Sequence, residues 1–254
     1  MLAIERRNAI LEKLQIERRV VVSELSEFYE VSEETIRRDL EKLEAEGHAI
    51  KSYGGAVLNE NSNIDLPYNV RKNRNVLGKQ KIANLVNEMV ADGDHIMLDA
   101  SSTAVAVAKA LKNKKDLTVI TNSLEIALEL MDATSCHVIS TGGLVAGNSF
   151  AFVGQVTDRT ISSYYVDKAI ISAKGFDLGA GLTDSDERLA NNKASMLKMA
   201  KKKVLAVDSS KFGKIAFAKI AHLQDINVLV TDKKPDEEWL QALEELGVEC
   251  VFPE

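Results

Sequence analysis

The sequence holds only two cysteines, Cys136 and Cys250, too few for a disulfide framework and in no C-x-x-C pair that would mark zinc or redox work. Both are expected to be reduced core thiols. The four histidines, His48, His95, His137 and His222, are scattered without ligand spacing, so they read as structural and not as a metal site. There is no run of about eighteen apolar residues to span a bilayer, and no basic, apolar, small-residue leader. These absences predict a cytosolic chain with no membrane partner and no cofactor. An excess of positive charge is lacking as well. The net charge is -6, and residues 1–55 carry nine basic residues (Arg6, Arg7, Lys13, Arg18, Arg19, Arg37, Arg38, Lys42, Lys51) against twelve acidic ones. A nucleic-acid partner therefore requires those cations to converge on one face.

What is present is a globular composition, 45% hydrophobic and 28% charged, in a chain of 254 residues whose length allows one large domain or a small one plus a medium one. Residues 3 to about 15 set Ile10, Leu11 and Leu14 on one helical stripe. The β-branched run from Arg18 to Val22 connects to a short second helix, with Ser23 able to cap it and Leu25, Phe28 and Tyr29 expected to be buried. Ser32 is a good N-cap for a third helix that opens on Glu33 and Glu34 and stops at Gly47. Ile36, Leu40 and Leu43 form its buried stripe. Thr35, Arg38 and Lys42 fall near the opposite face and Arg37 on its flank. Two extended runs within His48–Val57, carrying Lys51 and Tyr53 beside Gly54 and Gly55, fit a β-wing. The pattern is a winged helix-turn-helix, whose later helix lies in the major groove of DNA.

Residues 58–77, rich in asparagine and without clear periodicity, read as a linker between a domain at 1–57 and a second at 78–254. From Gly78 onward helical and strand patterns alternate, with strands expected at His95–Asp99, Leu117–Thr121, His137–Ser140, Lys168–Ser172, Lys203–Asp208, Asn227–Thr231 and Glu249–Phe252. Such alternation predicts a Rossmann-like, largely parallel α/β sheet, with ligand at the carboxyl ends of its strands. Those ends are polar and small. The first is followed by Asp99 and by Ser101, Ser102 and Thr103 at a helix start, a phosphate cradle of hydroxyls and free amides. The next carry Thr121, Asn122 and Ser123, then Gly142 and Gly143, where glycine permits close approach. Lys174 and Asp177 follow the fourth and Lys211 the fifth, Lys211 being the favoured ligand lysine. Asp99, Asp177, Asp186 and Glu187 are candidates for sugar hydroxyls, although Asp186 and Glu187 fit a solvent-facing helix start equally well. The composition is that of a sugar-phosphate pocket.

The segment Val31-Ser32-Glu33-Glu34-Thr35-Ile36-Arg37-Arg38-Asp39-Leu40, followed by Gly54-Gly55-Ala56, resembles the DNA-binding signature of DeoR-type regulators. Thr121-Asn122-Ser123, Gly142-Gly143, Asp167-Lys168-Ala169, Gly181-Leu182-Thr183 and Asp208-Ser209-Ser210-Lys211-Phe212-Gly213 match the effector half of that family in order. The resemblance implies operator binding, usually as a repressor of sugar use. Control would come from a phosphorylated sugar held in a domain similar to ribose-5-phosphate isomerase. A homodimer or homotetramer is expected, because one module reads one half-site. Two departures stand out. The first phosphate loop of the family usually reads Asp-Ser-Gly-Thr-Thr, and here Ser101 replaces the glycine; the wing commonly has His where Tyr53 stands. The competing reading is a sugar-phosphate isomerase. That chemistry needs a base near the α-carbon, and the isomerases' Asp-Gly-Ala-Asp and Lys-Gly-Gly-Gly segments are not intact in Ala173–Asp177 or Gly179–Gly181. A protein-interaction module on a winged-helix scaffold fits the acidic charge but leaves the polar strand ends unexplained.

Overall fold

A computed structural model of the protein describes residues 2–45, 48–58 and 68–253, and within them the chain forms two compact units, Met1–Arg74 and Asn75–Glu254. The first unit opens with α1 (Ala3–Glu17), β1 (Arg19–Val21), α2 (Val22–Tyr29) and α3 (Glu33–Ala45). It continues with β2 (Ala49–Ser52), β3 (Gly55–Leu58) and α4 (Tyr68–Asn73). The three strands form an antiparallel sheet in the order β1-β3-β2. Ile10, Leu14, Leu25, Ile36, Leu40 and Leu43 meet in its core. Gly55 is required there, because a Cβ at this position would stand 2.0 Å from the Val20 carbonyl oxygen.

Two local expectations fail. Ser23 does not cap α2, which begins two residues earlier than that cap would set, at Val22 with Val21 as N-cap; the buried stripe is Val22 and Leu25 with Tyr29 half-buried. Phe28 is left 70% exposed, edge-on to Tyr29 and beneath the Lys13 ammonium. The run 58–77 is not uniformly irregular either, since α4 lies within it and its Tyr68 is buried. Residues 59–67 of that expected linker, and the Glu46–Gly47 stop of the third helix, lie outside the described residues.

The second unit runs α5 (Val76–Met89), β4 (His95–Leu98), α6 (Ser102–Ala110), β5 (Leu117–Thr121), α7 (Leu124–Leu130) and β6 (Cys136–Ser140). There follow β7 (Leu144–Ala146), β8 (Ala151–Val153), α8 (Gln155–Ile161), β9 (Val166–Ile171), β10 (Gly175–Asp177), β11 (Gly181–Asp184) and α9 (Glu187–Lys198). The chain ends with β12 (Ala200–Ala206), β13 (Ala218–Ala221), β14 (Val228–Val230), α10 (Glu237–Glu245) and β15 (Glu249–Val251). Seven strands, parallel throughout, stand in the order β15-β14-β12-β9-β4-β5-β6. All seven are strands the periodicity predicts. The chain builds outward from β4 through β5 to β6, then returns to the other side of β4 with β9, so the winding reverses between β4 and β9. Such a switch point opens a crevice at the strand carboxyl ends.

Two features went unpredicted: the β7–β8 hairpin and a small antiparallel sheet in the order β10-β11-β13. The latter lies over the sheet's core, where Phe176 stacks on Trp239 and meets Phe212 edge-on. Cys136 and Cys250 are free but only half-buried, not core thiols in full; burial pushes both pKa values up, Cys250 to about 11. Among the described residues no helix is long and apolar enough to cross a membrane, and no three His, Cys, Asp or Glu side chains group as a metal site.

Candidate functional site

In the first unit the exposed face of α3 is held in a fixed pattern. Ser32 Oγ accepts from the Thr35 amide at 3.2 Å and lies 2.9 Å from the Thr35 hydroxyl, which fixes the start of the helix. Arg37 and Arg38 are exposed and each pairs one turn back, with Glu33 and Glu34 respectively. Lys42 is exposed on the same helix, and Lys51 reaches across from β2 to Glu41 at 2.8 Å. Exposed pairs of this kind contribute at most about 1 kcal/mol, so breaking them for another anion would cost little. Tyr53 stands fully exposed at the wing turn, next to Gly54 with φ +78°. Beneath this face lies a residue the sequence pattern does not single out. Asp39 is buried and accepts from Arg6 Nε at 2.6 Å, with Arg7 Nη1 at 3.8 Å from its other oxygen. α1 is thereby tied to α3 by charge as well as by packing.

In the second unit the polar strand ends divide into groups that build the loops and groups that are left over. Ser101 is the N-cap of α6: its backbone is extended, with φ -100°, and its hydroxyl accepts from the Ala104 amide at 3.0 Å while donating to Asp99 Oδ1 at 2.7 Å. The position needs no left-handed backbone, so serine replaces the family's glycine without strain and adds a cap. The first-turn amides at Ser102 and Thr103 have no intrahelical acceptor. Thr121 donates to the Leu98 carbonyl, and Ser123 caps α7. Asn122 donates to the Phe152 carbonyl and to Asn192 Oδ1, yet its own Oδ1 is buried without a hydrogen-bond partner. Gly142 and Gly143 both have positive φ, and a Cβ on Gly143 would stand 2.4 Å from the Thr157 hydroxyl.

At the switch point sits a buried charge cluster that sequence reasoning does not assemble. Lys193 of α9 is buried between Asp99, after β4, and Asp184, at the end of β11. Its ammonium donates to Asp184 Oδ2 and stands 3.2 Å from Asp99 Oδ2. The latter is an ion pair without hydrogen-bond alignment, and that oxygen keeps an unused lone pair. Burial pushes the Asp99 carboxyl above its ordinary range, and Lys193 and Ser101 only partly offset it. Burial acts on Asp184 in the same direction, but Lys193 and Lys174 outweigh it and hold that carboxyl low. Lys193 is pushed up, because its two carboxylates outweigh a burial that alone would lower it. Asp184 is the ionised member and Asp99 the more easily protonated one. Asp184 Oδ1 further accepts from the Ser185 amide, so the pair is not equivalent.

The remaining candidates lie around this centre. Lys174 bonds through its amide to the Thr183 carbonyl, and its charge reaches Asp184. Lys211 follows β12, two strands from β4, which at the usual strand spacing is roughly 10 Å. Burial works to raise the neighbouring Asp208 carboxyl, but Lys211 and the Ser210 donors hold it low. Asp177 accepts from the Gly179 and Ala180 amides and so closes the β10–β11 turn. Asp186 caps α9, and Glu187 is exposed in its first turn, the arrangement of a helix start. The structure thus brings Asp99, Ser101 and Asn122 together with Lys193, Asp184 and Asn192, whereas the Asp177 carboxylate serves its own turn and Glu187 faces solvent.

Against known proteins, the model of the DeoR-like helix-turn-helix domain matches residues 6–62 and that of the DeoR C-terminal sensor domain matches 74–233. Curated relatives align along nearly the whole chain. The HTH-type transcriptional regulator YulB of Bacillus subtilis is 42% identical, over 99% of this chain and 97% of its own. The HTH-type transcriptional repressor GlcR of the same organism is 35% identical over 98% and 96%, and the glycerol-3-phosphate regulon repressor of Escherichia coli 30% over 94% of each. Solved structures are more distant: ribose 5-phosphate isomerase A from Methanocaldococcus jannaschii overlaps 53% of each chain at 20% identity, with a TM-score of 0.40, too remote to bear on function. With both family domains matched in order and full-length relatives that are regulators and not enzymes, the chain belongs to the DeoR family of helix-turn-helix transcriptional regulators.

Proposed function

We propose that the protein represses a sugar-utilisation operon and that a phosphorylated sugar, bound at the strand carboxyl ends of the second unit, sets its affinity for operator DNA. Operator contacts come from Thr35, Arg37, Arg38 and Lys42 of α3 and from Lys51 and Tyr53 of the wing. Ser32 fixes the entry of the helix. A homodimer or homotetramer in the cytoplasm is the working form, since each module reads one half-site.

The observation that carries the effector reading is the Asp99–Lys193–Asp184 cluster at the β4/β9 switch point, with Asn122 Oδ1 buried without a hydrogen-bond partner beside it and Asp99 Oδ2 met only by the Lys193 ammonium at 3.2 Å. Buried acceptors of this kind cost free energy until a donor reaches them. Sugar hydroxyls are such donors, while the first-turn amides of α6, the Gly142–Gly143 loop and Lys211 suit the phosphate. Calorimetric titration with matched pairs of sugars and sugar phosphates tests this. Each charge-assisted hydrogen bond contributes about 1.5–3 kcal/mol, so the unphosphorylated sugar should bind at least about a hundredfold more weakly. Equal affinities would show that the pocket does not select phosphate.

A further inference from the structure

The acidic balance of residues 1–55 leaves open how this unit meets a polyanion, and the packing of α1 on α3 supplies a place. The two helices flank a groove of about 400 Å³ whose lining includes Arg6, Arg7, Arg38 and Lys42 against Asp39 and Glu41. Among the described residues of this lining, four cations thus face two anions. Of those anions, Glu41 already accepts from Lys51 at 2.8 Å, and Asp39 is buried at the groove floor. Asp39 takes Arg6 Nε at 2.6 Å and stands 3.8 Å from Arg7 Nη1, so one carboxylate orients two guanidiniums and can neutralise only one. A guanidinium carries five N–H donors, and most of these two sets remain for another acceptor. Thr35 and Arg38 line the same groove, which therefore opens beside the exposed face of α3.

We infer that this groove binds a phosphate of the DNA backbone, with Arg7 as its main donor from α1 and Arg6 as the residue that positions it through Asp39. The inference rests on the reading that α3 lies in the major groove, and it adds an anchor on a helix outside the helix-turn-helix pair. Guanidinium pairs with phosphate in bidentate fashion, and a cation on the flanking helix fixes register without reading sequence.

The test uses the full chain, a duplex enriched by the wild-type protein from a random-sequence pool, and a scrambled duplex of equal length. Binding constants are measured against salt concentration for wild type, Arg7→Ala and Arg7→Lys, with thermal unfolding as a check on folding. Removing one phosphate interaction makes the logarithmic salt slope shallower by about 0.9. Arg7→Ala should show that change and weaken both duplexes by the same factor, while Arg7→Lys should keep the slope. An unchanged slope in Arg7→Ala overturns the inference, as does a loss confined to the enriched duplex, which would mark a base contact. If the wild-type protein enriches and binds no duplex, the DNA-binding reading itself fails, a result distinct from either.

Discussion

Lys193 occupies a place that an amphipathic helix normally gives to an apolar side chain. Leu189, Ala190, Met196 and Leu197 are the buried stripe of α9, and Lys193 lies on it. A lysine in the middle of such a stripe is the signal that the sequence offers. Its partners are not legible there, because Asp99 is distant in the chain and Asp184, nine residues upstream on β11, meets it only through the fold. Lys193→Met should destabilise the second unit by about 3–5 kcal/mol at neutral pH, the cost of leaving buried carboxylates unpaired. The pH dependence has a definite sign. Asp184, whose carboxyl is held low, contributes stability that is present above its unfolded pKa and lost as pH falls through its folded one. Asp99, pushed up by burial, acts in the opposite sense, contributing at low pH and losing that contribution as pH rises through its folded pKa. Without the lysine both carboxyls prefer the protonated form, so the deficit of the variant should narrow toward acid pH. Urea unfolding across that range measures it. A deficit that stays constant with pH would mean that Lys193 acts through packing alone.

The elements legible in the sequence are those with sustained periodicity. α1, α3 and the seven parallel strands follow their apolar patterns, and Ser32 caps as its side chain suggests. What escapes is short or depends on a distant partner. β7 and β8 hold three residues each, too few for alternation to show, and β10–β11 turns on Asp177, an aspartate whose sequence position suggests a ligand. α2 starts one residue before its expected cap, and its buried stripe runs through Val22 and Leu25 to Tyr29, with Phe28 off its edge. Asp39 sits between Ile36 and Leu40 on the buried side of α3, a second charged residue whose meaning comes from Arg6 on another helix. The exposed arginines are a separable matter. Arg37 and Arg38 contribute little to folding, since their glutamate pairs are exposed. Replacing both by alanine should leave thermal unfolding near wild type while weakening operator binding by about 1–3 kcal/mol for each base that is no longer read. Unchanged affinity in an electrophoretic mobility assay would remove α3 from the interface.

The two compact units, matched by two family domains, give the molecule its regulatory logic. A ligand held in one unit alters DNA binding by the other only if it prefers one of two conformations, and the coupling is then reciprocal. An effector that changes DNA affinity by some factor must itself be bound more or less tightly by that same factor when DNA is present. Coupling of this kind is typically about 1–3 kcal/mol. On the proposed reading of the pocket, the search starts with phosphorylated sugars. A thermal-shift screen can find the ligand, because a saturating effector at about 100 times its Kd raises stability by roughly 2.7 kcal/mol. The direct measurement is fluorescence anisotropy of a labelled operator duplex titrated with the protein, with and without a saturating concentration of the sugar phosphate so identified. Effector control of DNA binding predicts a roughly 5- to 150-fold change in Kd for DNA, matched by an equal change in effector affinity when operator is present. Identical binding curves with and without the effector would contradict it and leave a DNA-binding protein that the second unit does not control.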